Sequence, residues 1–97
     1  MYTSGVFIVK KGREDEFARR WQQSADSSIS EFPDITFMLF RDAVNPQRFL
    51  SLGAGWRNVE QIEAARSTPA YQDAMGAVWR TLDSGEIATL KLVEEVS

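Results

Sequence analysis

A chain of 97 residues, 43% hydrophobic and 26% charged, has the composition of an ordered globular domain and room for only one, with a modest core. Its net charge of −3 with scattered cations offers no basic field to a nucleic acid. Neither Cys nor His occurs, which excludes disulfides, thiolate nucleophiles, imidazole metal or haem ligands and Ser–His triads.

The longest apolar runs, Val6 to Val9 and Phe37 to Phe40, fall far short of the roughly 20 residues that cross a bilayer. The chain opens on a strand-like pattern with no basic, apolar and small-residue leader, so a cytoplasmic protein is expected. No membrane, metal or cofactor is expected either. Acid–base work falls to carboxylates, lysines, Tyr2, Tyr71 or the substrate itself.

Residues 3 to 10 are β-branched and aromatic and close on Lys11-Gly12, a strand and its turn. From Arg13 the period changes. Phe17, Trp21, Ala25, Ile29 and Phe32 recur at helical spacing behind the acidic Glu14, Asp15 and Glu16, and Pro33 ends the helix. Residues 35 to 41 and Arg48 to Trp56 predict a second and third strand, joined as a hairpin through Asn45-Pro46. Asn58 with Gln61 predicts a capping box and a helix from Val59. Ser67-Thr68-Pro69 breaks that helix, and Tyr71, Met75, Val78 and Leu82 continue beyond it. Asp83-Ser84-Gly85 is read as the stop, and Ile87 to Val93 as the last strand.

The order strand, helix, strand, strand, helix, strand is the ferredoxin-like βαββαβ arrangement, an α+β antiparallel sheet with both helices on one face. Both faces of its strands are apolar. Val6 and Ile8 oppose Phe7 and Val9 in the first strand, and Ile35, Phe37 and Leu39 oppose Met38 and Phe40 in the second. In the third, Leu50, Leu52, Ala54 and Trp56 share one parity, while Phe49 lies on the other with Ser51 and two glycines. Helices cover only one side, so a second layer must cover the other, and a homodimer supplies it most simply. The alternative is a monomer whose C-terminal tail folds over the sheet.

Lys10 to Phe17 ending the first strand and opening the helix, Phe49-Leu-Ser-Leu with Trp56 closing the hairpin, and Ser67-Thr-Pro-Ala-Tyr71 together resemble the antibiotic biosynthesis monooxygenase domain over nearly the whole chain. The resemblance implies a dimeric α+β barrel, two sheets packed face to face, with a small-molecule cavity between each sheet and its own helices. Its members include cofactor-independent monooxygenases of polyketide phenols and quinols, haem-degrading enzymes and proteins of other activities, so fold alone leaves the function open. The haem-degrading branch carries an Asn, a Trp and a His where this chain has Gly5, Ala65 and Met75, and haem degradation is not expected. The polyketide-oxidising branch carries an Asn four residues before the strand-ending Trp. That position is Leu52 here, while Trp56 matches.

The expected activity is cofactor-independent monooxygenation of a small aromatic or quinol-like molecule. The alternatives are a dimeric module that binds or senses an apolar ligand without catalysis, or a filled cavity with a purely structural role. Trp56 and Tyr71 are the catalytic candidates, an indole wall with one N–H and a phenol able to donate to a developing oxyanion. Met75, Trp79, Leu52 and Phe37 complete the expected substrate-binding set, while Trp21 is assigned to the core. Arg41, Arg48 and Arg57 flank the hairpin as candidate anion holders. Gly53-Ala-Gly55 lacks the third glycine and the βαβ setting of a dinucleotide fingerprint.

Overall fold

The computed structural model describes all residues from Met1 to Ser97. Four strands, β1 (Tyr2–Val9), β2 (Thr36–Arg41), β3 (Arg48–Ala54) and β4 (Leu82–Leu90), form one antiparallel sheet in the order β2-β3-β1-β4. Three helices, α1 (Glu14–Glu31), α2 (Val59–Arg66) and α3 (Pro69–Trp79), complete the α+β ferredoxin-like fold.

Pairing of β1 with β3 sets Phe7 opposite Phe49, Gly5 opposite Ser51 and Thr3 opposite Gly53. These residues share the helix-facing side, because side chains alternate along a strand and directly paired residues point the same way. Phe7, Val9, Phe17, Phe49, Val78 and Leu82 close one buried cluster there, and Ile35, Trp56, Ile62 and Ala65 form another. The opposite parity, including Val6, Ile8, Met38, Phe40, Leu50 and Leu52, faces away from the helices. Met38, Phe40 and Leu50 are 41%, 49% and 37% exposed, so an apolar face stands open. The C-terminal tail does not cover it. Leu92, Val93 and Val96 are themselves largely exposed.

The helix-breaking signals act as their chemistry predicts. Asn58 Oδ1 accepts from the Gln61 backbone N–H at 2.8 Å, though Gln61 Oε1 reaches back to the N–H of Arg57, at 2.8 Å, rather than to that of Asn58. Thr68 Oγ1 accepts from the Tyr71 N–H at 3.2 Å with Pro69 at the first helical position, so α2 and α3 are separate helices.

Two expectations require correction. The last helix ends at Trp79 rather than at Asp83, and β4 begins at Leu82 rather than Ile87. Thr81 is fully buried, donating to Val78 O at 2.6 Å, while its carbonyl accepts from Lys10 N at 2.9 Å. The chain is thus fastened to the end of β1 before the Asp83-Ser84-Gly85 stretch is reached. Gly85 serves packing inside the strand. A Cβ there would lie 2.9 Å from the Trp79 indole.

The other correction concerns Trp56. The third strand ends at Ala54, and Gly55 comes next with φ of +100° and no room for a side chain against the Asp34 carbonyl. That turn breaks the alternation. Trp56 is buried on the helix side with Ile62 and Ala65, opposite the face that carries Leu50 and Leu52.

Candidate functional site

Between the two buried clusters lies a cavity of about 70 Å³, bounded by the sheet below and all three helices above. Its floor is the helix-facing side of the sheet, where Thr3 and Ser51 take the place of large side chains between Phe7, Phe37 and Ile87. Small residues at the centre of a sheet leave space that the helices do not fill.

From α1 the walls take Trp21, Ser24, Ala25 and Ser28. These positions share a face with Phe17, so the helix's inward stripe runs through the two serines, and Ile29, the expected member, is 37% exposed. Ser24 is only 5% exposed and lines the cavity.

The Trp56 wall is held on three sides. Its ring meets Phe32 at 5.8 Å and Phe37 edge-on at 6.1 Å, and its Nε1–H donates to Thr3 Oγ1 at 3.1 Å. The indole donor is therefore engaged within the protein. The Thr3 hydroxyl accepts that bond and retains its own proton to donate. From the helices, Ile62, Ala65 and Arg66 of α2 and Tyr71 and Met75 of α3 close the space.

Of the residues expected to line the cavity, Trp56, Tyr71, Met75 and Phe37 are brought together there. Leu52 and Trp79 are not. Leu52 has the parity of the open face, where it borders a shallow groove with Tyr2, Leu90 and Val93. Trp79 lies outside the cavity over Gly85, edge-on to the outer side of Phe7 at 6.4 Å. Its position eight residues after Tyr71 carries it past the inward stripe of Tyr71, Met75 and Val78.

Trp21, assigned to the core, packs against the Phe7 cluster and also lines the cavity. Ser24 and Ser28 carry no apolar signal, although their offsets of seven and eleven from Phe17 place them on its face. Gly5, Ala65 and Met75, aligned with the haem-binding triad, all line the cavity. The positions agree and the chemistry is absent.

The candidate anion holders lie elsewhere. Arg41 Nε donates to Pro46 O at 2.8 Å with its guanidinium over the Phe49 ring, and Arg48 pairs with Asp42 at 3.5 Å. Arg57 is exposed. The one charged residue on the cavity wall is Arg66, which reaches across to β4 and donates from Nη1 to Thr89 Oγ1 at 3.2 Å. Fourteen carboxylate residues occur in the chain, and none lines the cavity.

This arrangement of sheet, helices and cavity coincides with a family match. The model of the antibiotic biosynthesis monooxygenase family matches residues 2–77. The chain belongs to that family.

Solved structures share the fold of this antibiotic biosynthesis monooxygenase family member. An assigned antibiotic biosynthesis monooxygenase of Nitrosomonas europaea is 23% identical, with 92% of this chain and 97% of that chain covered and a TM-score of 0.71. A single-residue variant of SnoaB, a cofactor-independent oxygenase of Streptomyces nogalater, is 15% identical over 95% of this chain and 93% of that one, with a TM-score of 0.76. An assigned monooxygenase of Lactobacillus acidophilus is 16% identical at a TM-score of 0.76, covering 89% of this chain, and this chain spans only 41% of that protein. At such identities the likeness is one of fold. No curated protein matches the chain. No helix is long and apolar enough to cross a membrane.

Proposed function

We propose that this chain is a cofactor-independent monooxygenase that oxidises a small aromatic or quinol-like molecule in the cavity between its sheet and helices. The observation that carries this reading is the cavity's composition: aromatic walls, several hydroxyls, one arginine and no carboxylate or lysine. Such a site holds no strong base, so its substrate must itself be acidic enough to ionise, as anthrones and hydroquinones are. The hydroxyls of Thr3, Ser24 and Tyr71 then serve to hold the resulting oxyanion. For an anthrone the balance is simple. One atom of O₂ becomes the new ring carbonyl oxygen, and the other leaves as water with the two hydrogens of the oxidised CH₂ carbon.

Space sets a condition. Benzene occupies an apolar cavity of about 150 Å³, roughly twice the 70 Å³ available here. A ring therefore enters as flexible lining moves, and Met75 and the part-exposed Ile87 are the side chains best suited to yield.

The open apolar face supports a homodimer formed sheet against sheet, and the exposed C-terminal tail favours it over a tail-covered monomer. Sedimentation is expected to give twice the 11.0 kDa chain mass, and an 11.0 kDa species at micromolar concentration overturns the dimer.

A non-catalytic binding module is favoured by one observation, the commitment of the Trp56 N–H to Thr3, together with Leu52 in place of the Asn found in the polyketide-oxidising branch. Oxygen uptake with a panel of anthrones and hydroquinones, without added cofactor, separates the two. Uptake lowered by Tyr71→Phe supports the oxygenase. No uptake with any substrate supports the binder.

A further inference from the structure

Arg66 occupies the last turn of α2, where a cation complements the helix dipole and ordinarily extends into water. Here it is half-buried, lines the cavity and reaches across the cavity edge to Thr89 of β4. The ion pairs of the chain join Arg13 and Arg20 to Glu16 and Arg48 to Asp42, leaving Arg66 without a carboxylate partner. A guanidinium carries five N–H donors in a planar fork, and its single protein hydrogen bond goes to Thr89. In a chain of net charge −3, the cavity wall thus carries a positive charge and no negative one.

A second observation lies on the opposite chemistry of the same wall. Ser24 is more than nine-tenths buried, lines the cavity and takes part in none of the chain's side-chain hydrogen bonds. A serine hydroxyl that the chain leaves uncommitted can donate to or accept from a polar ligand group in the cavity.

We infer that Arg66 is the anion subsite of this cavity and that its ligand is an aromatic carboxylate. This rests on the cavity being the ligand site, and it narrows the substrate to a ring bearing a carboxylate. The planar fork of the free N–H groups matches the two oxygens of a carboxylate, a bidentate pairing stronger than hydrogen bonds between neutral groups. Thr89 fixes the guanidinium at the cavity edge. The ring then lies inward among Trp21, Trp56, Phe37 and Met75.

Benzoate and benzamide test the inference, because they share size and shape and differ in charge at pH 7.5. The indole N–H resonances of Trp21 and Trp56 report from inside the cavity, and that of Trp79 reports from outside it. In the wild-type protein, benzoate is expected to shift the first two with a Kd about ten-fold below that of benzamide, a preference of the size that charge-assisted pairing supplies. Added salt should weaken benzoate and leave benzamide unchanged. Arg66→Gln should bring the two ligands within about two-fold, and Arg66→Lys should retain part of the preference.

Equal binding of both ligands by the wild type overturns the anion subsite and leaves the cavity reading standing. A preference that survives Arg66→Gln in a protein with native amide dispersion also overturns it. If neither ligand moves the Trp21 and Trp56 signals, the cavity reading fails and the subsite falls with it. The salt dependence uses only the wild-type protein, so misfolding of a variant does not spare the inference.

Discussion

The layer between sheet and helices has two ends built from similar residues to different effect. At one end Phe7, Phe17 and Phe49 interlock, with centroids 5.5 and 4.8 Å apart, and Phe17 and Val9 are fully buried. At the other, Trp56 is just as enclosed, yet beside it a cavity remains. The difference lies in what the sheet presents. Large rings at the first end fill the space under α1 and α3, and Phe7 also covers Gly5, whereas Thr3 and Ser51 beside the second leave it open. One end fixes the fold, and the other is free to hold something.

The sharpest way to break this contrast is to hollow the packed end. Phe17→Ala is expected to cost about 3–5 kcal/mol in urea or thermal unfolding, more than truncation of the polar cavity residues Thr3, Ser24 or Ser51. Gly85→Ala should cost about 1–3 kcal/mol by driving a methyl into the Trp79 indole, and Trp79→Leu should recover much of that loss. Trp56→Phe removes the bond to Thr3 and should cost about 1 kcal/mol, while releasing Thr3 to bind ligand. Changes at the polar cavity residues are expected to alter ligand binding more than stability.

Acid acts on the packed end through its surface. Glu16 sits one residue before Phe17, and its carboxyl is held below the ordinary glutamate value by hydrogen bonds, first from Arg13 and then from Arg20. A folded pKa below the unfolded one means this stabilisation is present above the ordinary value of 4.5 and is lost as pH falls through the depressed folded value. Glu16→Gln should therefore flatten the stability profile below pH 4.5 and leave its neutral region little changed. The smallest effect is expected from Ser24→Ala. It gives up no hydrogen bond within the chain, so unfolding should move by no more than about 0.5 kcal/mol, and a larger loss would show that the serine supports the fold rather than the cavity.

The fold was largely legible because its signals are local. The change of period at Arg13, the Asn58 cap and Thr68-Pro69 each act within a few residues, and each element they delimit is present. The last strand was misplaced because its start depends on a distant partner, the pairing of Val9 with Leu82. Side-chain direction was legible wherever alternation ran unbroken, as in Phe7 against Ile8, and failed at Trp56, where the positive φ of Gly55 resets the parity. The site was half legible. Trp56, Tyr71, Met75 and Phe37 stand out as aromatic or soft residues on inward stripes. Ser24, Ser28 and Arg66 do not, since a serine on an apolar stripe reads as a gap and an arginine at a helix end reads as a solvated charge.

Gly55 divides β3 from the turn that leads into α2, and the strands of the sheet divide their own residues by parity. Neighbouring residues of β1 and β3 therefore point one to the cavity side and the next to the open face. A mutagenesis library confined to Thr3 and Ser51 would explore ligand preference while leaving the outer surface of the sheet unaltered. The proposed ligand specificity and the proposed association thus rest on separate residues of the same stretch of chain.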